Sequence, residues 1–191
     1  MKKLWVLLAV LALSGCGYNE IQQKDEGVKG AWSEVTNQYQ RRADLIPNLV
    51  ATVKGYAQQE QEVLTRVTEA RARVGQMQVT PETLNDPAAL QRFQQAQGDL
   101  SSALSRLLVV VEKYPDLKSD QNFRDLQAQL EGTENRIAVA RRDYIEAVRA
   151  YNTELRTFPG VIWASTVYRN EKPMETFTVA EDVRRPPPVN F

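Results

Sequence analysis

Apolar residues recur at alternating steps of three and four along most of the chain beyond residue 17, the spacing that lines one side of an α-helix. A first seam runs through Ile21, Val28, Trp32, Val35 and Tyr39. A second follows Leu49, Val53, Tyr56, Val63, Val67, Ala70 and Val74, and a third Phe93, Leu100, Leu104, Leu107, Val111 and Tyr114. The fourth is the longest, from Phe123 through Leu126, Leu130, Ile137, Tyr144, Val148, Tyr151 and Leu155 to Phe158. Gln, Glu, Arg, Ala and Leu dominate these stretches, and a two-residue alternation appears only near the C-terminus. Four seamed helices with short connections predict an all-α fold, an antiparallel four-helix up-down bundle of long helices. Leu107, Leu130 and Tyr144 belong in its core.

Helix stops follow local chemistry. The loop at 75–86 holds Gly75, a Thr80-Pro81 pair and Asn85, and closes with Asp86 as N-cap and Pro87 at the first helical position. Tyr114, Pro115 and Asp116 end the third helix, Ser119 can cap the fourth, and Phe158, Pro159 and Gly160 end it. The fourth helix, near forty residues and about 60 Å long, should overhang its partners. Its end at 151–158 then lacks cover, with Val161 and Trp163 free to fold back. Pro47 is the difficult point. Proline disfavours helix at the preceding residue and donates no hydrogen bond, yet the seam runs in phase from Ile46 to Leu49. One long kinked helix fits; a turn is preferred, because it leaves flanking segments of about 25 residues each, suited to antiparallel neighbours. The Pro-rich stretch at 184–189 favours extended polyproline conformation and reads as a spacer.

The N-terminus carries a different signal. Lys2 and Lys3 precede an apolar run from Leu4 to Ala12, far short of the ~20 residues a transmembrane helix needs. Leu13, Ser14, Gly15 and Cys16 follow, and this order resembles a bacterial lipobox, in which cleavage leaves a lipidated cysteine as the new N-terminus. Cys16 is the single cysteine of the chain. The competing reading is an ordinary cleavage site with an incidental cysteine. The expected organisation is a signal peptide at 1–15, a helical domain at 16–160 and a short C-terminal segment with its tail at 161–191. Gly17 lacks the aspartate that retains lipoproteins at the inner membrane of some Gram-negative bacteria. In such a host the expected location is the outer membrane, facing the periplasm.

Composition narrows the chemistry. Basic and acidic residues number 24 each, which gives nucleic acid little to bind. The chain contains no histidine, so Ser-His-Asp and Cys-His nucleophilic sites and histidine metal sites are excluded. No cofactor or metal is expected, and catalysis would fall to carboxylates, Lys, Tyr or Ser alone.

Some polar residues sit where a helix should bury them. Glu60 occupies a seam position between Tyr56 and Val63, and Asp25 and Arg42 are in phase with the first seam. Thr133 lies in the fourth seam, with Glu134 and Asn135 beside it and Arg141 two turns on. A buried carboxylate must be paired or protonated, and Arg42, Arg71 and Arg141 are the natural partners for Glu60 and Glu134. These five residues are therefore expected to form a structural polar cluster fixing helix register. On that reading Glu60→Gln costs a few kcal/mol. A di-metal site of the helical-bundle kind uses Glu-x-x-His and has no histidine to draw on here.

These positions belong to ordered blocks that resemble the LemA family of bacterial envelope proteins. The blocks are Tyr18 and Asn19; Arg42 and Asp44 through Val50; Lys54, Gly55, Tyr56 and Glu60; Ala70 and Arg71; Tyr114 through Lys118, Phe123 and Leu126. They continue with Thr133 through Ala138, Ala140 through Tyr144, Tyr151 and Asn152, and Phe158 and Pro159. Ile145 departs from the pattern, which has asparagine after the tyrosine. The resemblance implies an antiparallel four-helix bundle, attached to a membrane at its N-terminus and lying outside the cytoplasm, with no enzymatic activity established for the family as a whole. The reading favoured is a lipid-anchored, non-catalytic scaffold or adaptor for a protein partner in the envelope. The alternatives are a small-ligand module in the bundle and a carboxylate-based hydrolase using Glu60 or Glu134.

Overall fold

The seams become helices in the computed structural model, which describes residues 18–77, 80–81 and 84–177. The expected signal peptide, Cys16 and the proline-rich tail lie outside those residues. Six helices and no strand occur among the described residues: α1 (Tyr18–Tyr56), α2 (Gln61–Gln76), α3 (Pro87–Val111), α4 (Pro115–Ser119), α5 (Gln121–Glu154) and α6 (Gly160–Thr166). No described helix is long and apolar enough to cross a membrane.

The two longest helices run antiparallel along each other. The Tyr56 hydroxyl donates to Asp120 Oδ2 at 3.0 Å, Arg42 meets Glu134, and Trp32 packs against Tyr144 at 5.2 Å between ring centroids. α2 returns along the C-terminal half of α1, and α3 packs against α2. Leu107, Leu130 and Tyr144 are buried, as their seams require.

Pro47 does not interrupt α1, and the turn favoured there is replaced by continuous helix. The physical reason lies on another helix. A proline at 47 leaves the carbonyl of Ala43, four residues back, without its helical donor. Ala43 is buried, so that oxygen could not rely on water. Arg71 of α2 supplies the donor: its Nε lies 2.9 Å from the Ala43 carbonyl oxygen. Ile46, Leu49 and Val53 then continue the buried seam in phase. The real break comes at 57–60, where the Glu60 amide donates to the Ala57 carbonyl at 3.1 Å.

Caps account for the other ends. Asp86 accepts from the Ala88 amide at 2.9 Å with Pro87 opening α3. At α5 the cap is Asp120 rather than Ser119: Asp120 Oδ1 takes the Phe123 amide at 2.9 Å. Ser119 instead ends α4, its hydroxyl donating to the Asp116 carbonyl. α5 stops at Glu154, where a close approach follows. A Cβ on Gly160 would stand 2.2 Å from the Glu154 carbonyl oxygen, so only glycine lets α6 turn back there.

The expected overhang of the last long helix is absent at Tyr151, which is fully buried. The segment at 171–177 folds back over it. Asn152 clamps that segment twice, donating to the Met174 carbonyl and accepting from the Met174 amide, both at 2.9 Å. The Tyr144 hydroxyl donates to the Glu175 carbonyl at 2.8 Å, and the Tyr151 hydroxyl to Glu171 Oε2 at 2.9 Å. Met174 and Phe177 thereby enter the core beside Trp32.

A double-mutant cycle tests the proline account. Arg71→Met leaves the Ala43 carbonyl unsatisfied and should cost about 1–3 kcal/mol in a urea melt. In a Pro47→Ala background the restored amide serves that carbonyl, and the same change should cost under ~0.5 kcal/mol. Equal costs in the two backgrounds would disconnect Arg71 from Pro47.

Candidate functional site

Two apolar clusters make up the core, and a polar layer lies between them. One cluster gathers Ile46, Leu49, Val53, Leu100, Leu107 and Leu130, the other Trp32, Val35, Tyr39, Phe93, Ile137 and Tyr144. Arg42 falls between Tyr39 and Ile46 on α1, Gln97 between Phe93 and Leu100 on α3, and Thr133 between Leu130 and Ile137 on α5. All three are buried. The seam periodicity forces this: each occupies an inward position of its helix at the same level.

Arg42 organises the layer. Its side chain is 2% exposed, and Nη1 donates to Glu134 Oε1 at 2.8 Å and to Ser101 Oγ at 2.9 Å. Nη2 donates to the Gln97 side-chain oxygen and, at 3.4 Å, to the Gln97 backbone carbonyl. Nε is buried with no partner. The guanidinium also lies 5.1 Å from the Tyr39 ring centroid. Thr133 satisfies itself, its hydroxyl donating to the Gln129 carbonyl at 2.7 Å.

The layer opens on one side. Tyr39, Arg42, Gln94, Gln97, Glu134 and Arg141 line a cleft of about 700 Å³ between α1, α3 and α5. Glu134 reaches Arg42 from its mouth and is 47% exposed. Arg141 lies over the Phe177 ring, 4.5 Å from the centroid. Burial raises the pKa of the Tyr39 phenol, against the pull of Arg141 and Arg42 in the opposite direction.

Of the five residues expected to cluster, Arg42, Glu134 and Arg141 share this cleft, and Glu60 and Arg71 do not. Glu60 sits at the α1–α2 junction, half-buried. The contact it receives comes from the Tyr114 hydroxyl at 3.4 Å, not from an arginine. Its seam position was read for a helix running through residue 60, whereas α1 ends at Tyr56 and the chain turns. Arg71 serves the Ala43 carbonyl. Two contributors, Gln97 and Ser101, were not singled out from the sequence. Gln97 carried a legible signal, because it stands four residues after Phe93 and three before Leu100. Asp25, the fourth buried polar residue, is held by Lys29 Nζ at 2.6 Å. That hydrogen bond, with a second to Glu26, raises the Lys29 pKa. No group of three or more Cys, Asp or Glu side chains able to hold a metal occurs among the described residues.

An all-helical protein whose core is divided by an arginine-centred layer, with Arg42, Thr133 and Glu134 of that layer lying in the ordered blocks, defines the class. The family model described as LemA family matches residues 31–191, and the chain belongs to that family. It is similar to magnetosome protein MamQ 2 of Paramagnetospirillum magneticum, strain AMB-1, at 25% identity over 80% of this chain and 62% of that protein. It is similar to MamQ of Magnetospirillum gryphiswaldense at 24% identity, over 74% of this chain and 58% of that one. Protein LemA of Metamycoplasma hominis is 22% identical over 73% of this chain and 60% of its own length. The chain thus spans about six-tenths of the length of the curated relatives it matches.

Substitutions should separate these carboxylates. Arg42→Ala leaves the layer without its centre and should cost about 3–5 kcal/mol. Glu134→Gln retains a hydrogen bond and has water at hand, and should cost about 1–2 kcal/mol. Glu60→Gln should cost under ~1 kcal/mol, since one long, partly exposed contact is all it changes. Urea melts of the three variants check the order, and a Glu60 loss equal to that of Arg42 would contradict the geometry.

The buried tyrosines set a pH limit. Burial pushes the pKa values of Tyr144, Tyr151 and Tyr39 above the usual tyrosine range, and Lys29 shifts the same way. Groups raised on folding contribute stability that is intact below their unfolded pKa and is lost as pH climbs beyond it. Stability should therefore fall above about pH 10. Tyr144→Phe should lower stability by about 1 kcal/mol at neutral pH and flatten that alkaline decline. Thermal melts between pH 7 and 11 read both effects.

Proposed function

We propose that this chain is a lipid-anchored, non-catalytic scaffold of the bacterial envelope, held by Cys16 and presenting an up-down bundle of its four long helices to a protein partner. In a Gram-negative host it stands on the outer membrane and faces the periplasm. The observation that carries the reading is the use made of the charged residues at its centre. Glu134 is committed to Arg42, and Glu60 lies at a different junction beside Tyr114, so the two carboxylates do not converge on a common point as acid and base would. The LemA family match and the lipobox at 13–16 support the envelope location. The relatives named MamQ bear the description magnetosome protein.

A second reading keeps one specific observation. The cleft is polar and glutamine-lined, and the Arg42 Nε buried there has no partner, which suits a small ligand carrying hydrogen-bond acceptors.

Lipid anchoring predicts that the wild-type protein stays with washed membranes and that Cys16→Ser releases it. Two or three acyl chains, at about 0.8 kcal/mol per methylene, hold a protein essentially permanently. Crosslinking in intact cells followed by mass spectrometry should then recover an envelope protein joined to the bundle. Full retention of Cys16→Ser on membranes would remove the anchor. A substrate turned over by wild type and not by Glu134→Gln would replace the scaffold with an enzyme.

A further inference from the structure

One end of the molecule gathers apolar side chains that the core does not use. Phe158 is 78% exposed and Ile162 49%, with Val161 and Val167 also open to solvent. They lie on the turn before α6, on α6 itself and just past it. Tyr18, at the start of α1, is seated against this element: its ring is 5.4 Å from Trp163, edge to face, and 5.4 Å from Tyr168. The Tyr168 hydroxyl donates to the Tyr18 carbonyl at 3.2 Å. Exposed large apolar residues elsewhere, such as Val109 and Val139, stand on separate helices.

Charge follows the same division. Residues 155–170 contain no acidic side chain, and their two charges are Arg156 and Arg169, both exposed. Two nearby carboxylates are engaged elsewhere, and the Glu154 carboxylate lies against the backbone at Gly160. Glu20 pairs with Lys24 at 2.8 Å, and Glu171 accepts from Tyr151. An apolar centre with aromatic rings beside it and arginines at its margins is the composition of a surface that sits at a lipid–water boundary.

Chain length says which surface it meets. Cys16 lies two positions before Tyr18, a reach of at most about 7 Å. A lipid on Cys16 therefore holds this end of the molecule, and no other, at the bilayer. We infer that the α6 end is a membrane-facing surface for an anionic phospholipid bilayer. Phe158, Val161, Ile162 and Val167 enter the headgroup–acyl boundary, and Arg156 and Arg169 meet headgroup phosphates. The inference rests on the anchoring reading above and adds an orientation to it. α1 then points away from the bilayer, and the junctions at 57–60 and 112–120 stand about 55–60 Å out, near a partner's reach.

Trp163 is a built-in reporter. Once the signal peptide and its Trp5 are removed, Trp32 is the one other tryptophan, and it is buried. The intact protein, purified from membranes, is reconstituted into phosphatidylethanolamine–phosphatidylglycerol vesicles carrying a shallow doxyl-labelled lipid. Flotation of the vesicles reports the anchor, and tryptophan quenching reports the surface. Wild type should float and be quenched. Trp163→Phe should float and lose the quenching, which assigns the signal. The Phe158→Glu/Ile162→Glu double variant should float with quenching reduced about tenfold or more, as expected when two apolar side chains no longer enter lipid. A protein that floats with Trp163 unquenched overturns the surface and leaves the anchor standing. It would assign this end to a protein partner. A protein that does not float removes the anchor and the inference together.

Discussion

The guanidinium of Arg42 is a charge placed where a helical protein can least accommodate one, between two apolar clusters and almost wholly out of water. Left alone it would cost several kcal/mol. It is tolerated because α3 offers Gln97 and Ser101 and α5 offers Glu134 at the same level. Sliding either helix by one turn brings apolar seam residues, Phe93 or Leu100 on α3 and Leu130 or Ile137 on α5, to the level of the guanidinium. We read the layer less as a source of stability than as a condition on register, a role polar groups take in some helical assemblies. Everything downstream in α1, α3 and α5 inherits that alignment.

The same level of the molecule solves a second problem. Pro47 strips the Ala43 carbonyl of its donor one residue after Arg42, and Arg71 restores it from α2. Two arginines therefore tie α1 to three other helices within a single turn, one through side chains and one through backbone. This explains why a proline can stand in the middle of a 39-residue helix. It also gives the otherwise separate blocks around residues 42–50 and 70–71 a shared physical purpose.

Much of this was legible from the residues alone, and the exceptions share a cause. The seams located the core, and Asp86 with Pro87 marked a helix start, because both depend on neighbours within a turn or two. Pro47 was misjudged because its compensation comes from Arg71, which lies 28 residues later in sequence. Glu60 looked buried only on the assumption that one helix ran unbroken from Leu49 to Val74. The cap at α5 moved by one residue, to Asp120, because Ser119 closes α4 instead, its hydroxyl donating to the Asp116 carbonyl. Cover for Tyr151 could not be seen, because the segment that supplies it shows no helical periodicity and is held by backbone groups that any sequence possesses.

On the proposed reading as a membrane-anchored scaffold, the protein needs a fixed shape more than a reactive centre, and the polar layer is the element placed to supply it. The direct measurement compares wild type with Arg42→Met/Gln97→Leu/Glu134→Leu, using spin labels at exposed Asn37 on α1 and Arg136 on α5 and reading their separation by pulsed dipolar spectroscopy. The account predicts one narrow distance in wild type. In the apolar variant, helicity and stability should be retained while the distance broadens or splits, as the helices sample neighbouring registers. A single distance, as narrow as that of wild type and at the same value, would show that apolar packing alone sets the alignment and that Arg42 does not.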